Sequence, residues 1–181
     1  VIVKESVSEV RFQQSGFQLR VKSPVATNLN VQGPEGYTQN LSIQEGANTF
    51  CLPVTGQYTL IPSGCVRFQD DKFTFDTSNA EVVSLEARMF SVSGKIQATH
   101  DANLPTNIVV LVKPQNHGSS TDGSAEEVLQ VQRVASVENT HTYEYSYWAV
   151  PGENLEFTPS SASLLFYPKT ALVSVTPSIC V

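Results

Sequence analysis

The chain has 181 residues, 40% of them hydrophobic and 15% charged, with a net charge of −6 and three cysteines. The acidic excess divides evenly: residues 1–87 hold six basic and nine acidic side chains, and residues 88–181 hold five and eight. With no basic stripe, the counterion release that drives nucleic-acid binding is missing, and attraction to an anionic membrane surface is disfavoured for the same reason. The longest purely apolar run, Ile108 to Val112, falls well short of the ~20 residues that a spanning helix needs. A start on Val1, with neither Met nor a targeting segment, suggests a fragment excised from a longer protein.

Along the chain, Val1-Ile-Val3 and Val7 to Phe12 read as two short strands. Phe17 to Lys22 sets Phe17, Leu19 and Val21 against Gln18, Arg20 and Lys22, the period of two that marks a strand with one packed face. Leu29 and Val31 continue the pattern before Gly33-Pro-Glu-Gly36, the strongest turn signal in the chain. Asn40-Leu41-Ser42 is the one N-glycosylation sequon and lies just before a strand at Ser42-Ile43. Pro53 to Pro62 reads as a hairpin-like region, Phe73 and Phe75 alternate after Asp70-Asp71, and Val82 to Ala87 supplies the last strand of the first half.

The second half opens with strands over Phe90 to Ala98 and Asn107 to Lys113. Residues 114–125, PQNHGSSTDGSA, form an exposed low-complexity loop, and Ala125 to Val137 reads as one strand. Tyr143 to Pro168 predicts strand, turn, strand, turn, strand: Tyr143, Tyr145 and Tyr147 on one face, the Val150-Pro-Gly-Glu153 turn, Leu155 and Phe157, then Leu164 to Tyr167. Helix signals are absent.

This last stretch has a degraded copy upstream. Tyr58, Leu60, Pro62, Ser63 and Phe68 match Leu155, Phe157, Pro159, Ser160 and Leu165 without a gap, and Glu81-Val-Val-Ser-Leu85 resembles Ala171-Leu-Val-Ser-Val175. A repeat of about 90 residues is too long for a solenoid unit and suits a small β-sandwich. The expected fold is all-β: two tandem antiparallel β-sandwiches, residues 1–87 and 88–181. The join, Ala87-Arg-Met89, has no Gly, Pro or Ser cluster, so the two units abut with restricted freedom.

The residues that could carry chemistry are few. Cys51 and Cys65 flank Pro53 to Pro62, and closing that loop contributes roughly 3 kcal/mol in the chain-entropy model. The reading is a Cys51–Cys65 disulfide with Cys180 left free, against the alternative of two buried thiols. His100, His117 and His141 are far apart in sequence. His117 beside Gly118-Ser119-Ser120 and Asp122 lacks the fixed base and oxyanion hole that a catalytic triad needs. Adjacent acids at Asp70-Asp71 and Glu126-Glu127 point to opposite faces of a strand and cannot act as an acid–base pair. Asp70, Asp71 and Asp76 lack EF-hand spacing for calcium. No cofactor fingerprint is present, so neither cofactor nor metal is expected. Tyr143, Tyr145, Tyr147 and Trp148 read as a core face rather than a carbohydrate platform. Tyr58, Phe68, Tyr145, Tyr147, Trp148, Phe157 and Phe166 are the expected core anchors.

Several runs resemble the Nodal modulator family. They are Val10 to Phe17, the Asn40 sequon, Asn48-Thr-Phe-Cys-Leu52, Gly56-Gln-Tyr58, Pro62 with Cys65 and Arg67-Phe68, and Phe75-Asp-Thr-Ser78. Tyr145-Ser-Tyr-Trp148, Thr158-Pro-Ser-Ser161 and Leu165-Phe-Tyr-Pro168 join them. The resemblance covers nearly the whole chain. It implies a large single-pass protein of the endoplasmic reticulum whose lumenal part is a string of Ig-like or transthyretin-like sandwiches, of which this chain holds two consecutive ones. It also implies neighbouring Ig-like domains and assembly with nicalin and a small multipass membrane protein, in a complex that joins the translocon machinery for multi-spanning proteins, with a link to Nodal signalling. Vertebrate members carry a long charged insertion before the Tyr-Trp motif, where residues 114–140 are short. No catalytic residue follows from the family. The function expected is a non-enzymatic scaffold in the reticulum lumen, with Asn40 glycosylated. The competing reading is a carbohydrate- or ligand-binding sandwich, which would display Trp148 and the tyrosines to solvent.

Overall fold

The computed structural model describes residues 11–79, 81–101, 107–115 and 126–180, without the side chain of residue 180. The first half contains β1 (Phe17–Ser23), β2 (Thr27–Gln32), β3 (Thr38–Ile43), β4 (Gly46–Leu52), β5 (Gln57–Ser63), β6 (Val66–Phe68), β7 (Phe73–Asp76) and β8 (Val83–Ser84). The second contains β9 (Ala87–Thr99), β10 (Val109–Pro114), β11 (Glu127–Gln130), β12 (Gln132–Val137), β13 (Thr140–Ala149), β14 (Asn154–Ser160) and β15 (Ala171–Ser174). The described residues hold no α-helix, only 3-10 turns at Pro34–Gly36 and Pro177–Cys180.

The first half is a sandwich of sheet β4-β1-β8 on sheet β3-β2-β5-β7. Period-2 patterning creates it: Leu19 and Val21 of β1, Leu29 and Val31 of β2, Leu41 and Ile43 of β3, and Tyr58 and Leu60 of β5 are buried, while their neighbours face water. All pairings are antiparallel except β1 with β8, which is parallel. The Gly33–Gly36 turn is folded around Tyr58. A Cβ on Gly33 would come within 2.2 Å of the Tyr58 ring, so only glycine permits the approach. The fully buried ring sends its hydroxyl proton to the Val54 carbonyl, 2.6 Å away, and meets Tyr37 edge-on with centroids 5.8 Å apart.

The second half repeats the plan. Its sheet β11-β10-β14-β15 is ordered like β3-β2-β5-β7, and β13 pairs with β9 as β4 pairs with β1. The two prolines matched in sequence sit alike near the ends of β5 and β14. Pro62 faces Leu29 and Pro159 faces Val110, each beyond the stretch where β7 or β15 pairs on the other flank. A residue with no N–H is tolerated where one flank is open. Val110, Val112, Leu155 and Phe157 are buried on the inner faces.

Three local expectations need correction. Ala125 to Val137 is two strands, not one: β11 pairs with β10 in one sheet, and after Val131 β12 pairs with β13 in the other. Leu164 to Tyr167 is no strand; Leu164 and Phe166 lean on the core, while Leu165 and Tyr167 are exposed. Asn40 lies within β3 rather than ahead of a strand. The strands expected over 1–3 and 7–10 fall outside the described residues, and Arg11 and Phe12 are in none.

One sheet does not respect the halves. It is ordered β12-β13-β9-β6, and β6 belongs to the first half. The expected boundary at Ala87/Arg88 coincides with the first residues of β9, a strand of 13 residues.

Phe157, 1% exposed between the tilted ring of Tyr145 and the edge of Tyr147, anchors the second core. Phe157→Ala is expected to cost about 3–5 kcal/mol. Chemical denaturation monitored by far-UV circular dichroism would measure it, and a change below about 1 kcal/mol would contradict this packing.

Candidate functional site

The side chains with unusual surroundings define the candidates. The first group lies where β9 passes from one half to the other. β6 places Arg67 opposite Met89 of β9, while on the other flank Trp148 of β13 is opposite Ser91. The Arg67 guanidinium stands 4.2 Å from the centroid of the Trp148 ring. Trp148 was expected in the core. It is instead half-buried on the outer face of the sheet, because alternation along β13 turns Tyr143, Tyr145 and Tyr147 inward and even-numbered residues outward. One ring face is therefore covered by a cation rather than offered to a ligand.

Of the remaining expected anchors, Tyr58, Phe68 and Phe157 are buried, and Tyr145, Tyr147 and Phe166 are half-buried against the core. Tyr145 lies over Gly94, where a Cβ would come within 2.3 Å of its hydroxyl oxygen. Burial pushes the Tyr145 hydroxyl above its ordinary pKa. Tyr147 is raised as well, by burial first and then by the nearby carboxylates of Glu127 and Glu153.

The second group was not foreseen. His100 and His141, distant in sequence, stack with ring centroids 4.4 Å apart where β9 ends and β13 begins. The His100 Nδ1–H donates to the Asp101 carbonyl at 2.8 Å, which leaves Nε2 to accept the Tyr143 hydroxyl at 3.0 Å. His141, 3% exposed, contacts Ser136 Oγ through Nδ1 at 2.8 Å, and its buried Nε2 has no partner. A bare lone pair is cheaper to bury than an orphaned N–H, so the proton belongs on Nδ1, donated to Ser136. In that tautomer Nδ1 cannot take the serine's proton, and no carboxylate orients the ring. The contact is structural in chemistry. The contact rests on the register that sets His141 opposite Ala98, which sequence periodicity does not reveal. His117 lies outside the described residues.

The cysteines correct an expectation. Cys51 is a free, exposed thiol on β4, and Cys65 is disulfide-bonded, so the two are not partners. The reason is geometric. Cys51 sits at an outward position of β4, with its Sγ 4.0 Å from the Ser15 carbonyl, whereas Cys65 lies in the turn between β5 and β6 beside β9. The expectation of a free Cys180 concerns a side chain outside the described residues.

The acidic residues do not converge. The Asp76 carboxylate is taken up by Ser78, accepting from its backbone N–H at 2.8 Å and its hydroxyl at 2.6 Å, which lowers its pKa. Among the described residues no three His, Cys, Asp or Glu side chains gather as metal ligands. Asn40 is exposed on the edge strand β3. Its Oδ1 accepts from Asn30 Nδ2 at 2.7 Å, and no hydrogen bond engages its own Nδ2 among the described residues.

Residues 11–89 match the model of the NOMO Ig-like domain, and residues 91–181 that of the NOMO eighth prealbumin-like domain. The chain belongs to the Nodal modulator (NOMO) family. It is 27% identical over 216 residues to mouse BOS complex subunit NOMO1, covering 99% of this chain and 18% of that protein. Human BOS complex subunit NOMO3 matches to the same extent. Nicotinic receptor-associated protein 4 of Caenorhabditis elegans is 25% identical, covering 97% of the chain and 15% of its own length. This NOMO-family chain thus spans less than a fifth of the relatives it matches. The 216-residue alignments exceed its 181 residues, so those relatives carry segments that it lacks.

The thiols give a direct check. Alkylation of the folded, non-reduced chain followed by mass mapping is expected to label Cys51 and to label Cys65 only after reduction. Recovery of a peptide joining Cys51 to Cys65 would contradict the assignment.

Proposed function

We propose that this chain is a structural and protein-interaction segment of a BOS complex subunit. In this reading it comprises two domains dividing near Ala87/Arg88, lies in the lumen of the endoplasmic reticulum, and acts without catalysis. The complex would contain nicalin and a small multipass membrane protein and would serve the translocon machinery for multi-spanning proteins. The match of both halves to consecutive NOMO domain models carries the reading. The aromatic residues support it over a glycan-binding sandwich: the tyrosines of β13 turn inward and Arg67 occupies one face of the Trp148 ring. The Ser136–His141 contact, with no carboxylate behind it, offers no relay for hydrolysis.

Asn40 tests the compartment. The glycosidic bond of an N-glycan forms at Nδ2, the atom left free here, while Oδ1 keeps its bond to Asn30. Protein isolated from its own cells is expected to lose an endoglycosidase-sensitive mass at the Asn40 peptide when Asn40 is replaced by Gln. An unmodified Asn40 in protein from the secretory pathway would count against a lumenal location.

The complex is tested by photo-crosslinking. A photoreactive residue at Leu165 or Leu172, both strongly exposed, in the full-length protein is expected to trap a membrane-complex subunit, with nicalin sought first by immunoblot. Adducts to no complex subunit from any outward position of either half would sink the scaffold reading.

A further inference from the structure

We propose that the first half completes the sheet of the second by donating β6, and that Arg67 on Trp148 locks the donation, so the two halves move as one rigid body. This goes beyond the role in a complex and does not depend on it.

The argument starts from the repeat. β9 corresponds to β1, β10 to β2, β11 to β3, β13 to β4 and β14 to β5, in matching sheet positions. In the first half, the flank of β1 away from β4 is covered by that half's own β8, at Val21 and Lys22. In the second half, the equivalent flank of β9 receives no strand from its own half among the described residues. The motif that corresponds to β8 in sequence forms β15 instead, and β15 pairs with β14 in the opposite sheet. At the start of β9 that flank is taken by β6, with Val66 opposite Phe90, Arg67 opposite Met89 and Phe68 opposite Ala87. An unfilled flank would leave a row of backbone donors and acceptors without partners.

Hydrogen bonds continue the donated pairing at both ends. The Gln69 N–H donates to the Glu86 carbonyl at 2.8 Å, and the Ser91 N–H donates to the Cys65 carbonyl at 2.8 Å. The side chains beneath are dry: Phe90 is 1% exposed, Leu85 3%, and Val66 and Phe68 5% each. The Pro177–Cys180 turn, which ends the second half, also packs against β9. Above the sheet, Arg67 reaches diagonally over β9 to Trp148, so a residue of the first half covers the outer face of the second. Bending at Ala87–Met89 would break the β6–β9 ladder and wet Phe90 at once. Surfaces on the two halves are therefore held at one spacing and one angle.

Residual dipolar couplings on the unmodified chain test the rigidity. Amides of β1–β5 and amides of β10–β14, fitted separately, are expected to return the same alignment tensor. Two tensors of different magnitude or orientation would overturn the proposal. The lock is tested by Arg67→Ala, an exposed site whose loss leaves both cores intact. Because Trp148 is the only tryptophan, its emission should shift to the red and its acrylamide quenching increase. Hydrogen exchange should also accelerate in β13 of the second half. Arg67→Lys should restore part of each change. Unchanged emission and quenching, or faster exchange confined to residues 57–76, would show that Arg67 does not couple the halves.

Discussion

The constraint on which the structure depends is the hydrogen-bond accounting of β9. Thirteen extended residues span about 40 Å at the usual rise per residue. Every buried N–H and C=O along that length needs a partner. β13 supplies them over residues 90–99, on one flank. Near the start of the strand the other flank is supplied by β6, from the preceding half. A conventional linker at this point would have left Phe90 and the first backbone groups of β9 facing water. The junction is thus formed by the same ladder chemistry as the sandwiches, and bending it carries the energetic cost of breaking a sheet.

What could be read in the sequence follows from the range of each signal. Alternation is local, so β1, β5, β13 and β14 were legible residue by residue, and the spacing from Tyr58 to Phe68 against Leu155 to Leu165 exposed the repeat. Pairing between distant segments leaves no such mark. Val66-Arg-Phe68 is too short to show a period, and nothing in it names β9 as its partner. Alternation also told which residues share a face without telling which face is inner. Trp148 follows three inward tyrosines by a single step, and that step carries it outside. The Cys51–Cys65 reading failed for a related reason: loop length alone suggested closure, whereas the positions of β4 and of the β5–β6 turn decide which thiols can meet.

The stacked histidines show how the fold produces features that resemble sites. A serine, two histidines and a tyrosine within hydrogen-bonding distance would draw attention in any sequence motif, yet they arise here from register alone. His141 faces Ala98, and Thr140 faces Thr99, so His100 falls beside the His141 ring. Each ring is spent on holding the strand end: one on the Asp101 carbonyl and Tyr143, the other on Ser136. Groups committed to such bonds serve order at the end of the sandwich, where the sheets stop shielding one another.

A fold built this way explains how 27% identity can extend over 99% of the chain. A catalytic centre requires particular atoms at particular distances. A sandwich core requires apolar side chains of suitable volume at alternate positions, and cores tolerate many simultaneous exchanges when volume and pattern are kept. The outer faces are freer still. The exposed Lys95–Glu144 pair, 2.8 Å apart, contributes little in water, and its loss would scarcely disturb the sheet beneath it. Substitution is sterically least tolerated where backbone approaches a ring, as at Gly33 under Tyr58 and Gly94 under Tyr145. Sequence drift on the outer faces can then proceed without altering the spacing of the two halves, because that spacing is set by β6 and β9.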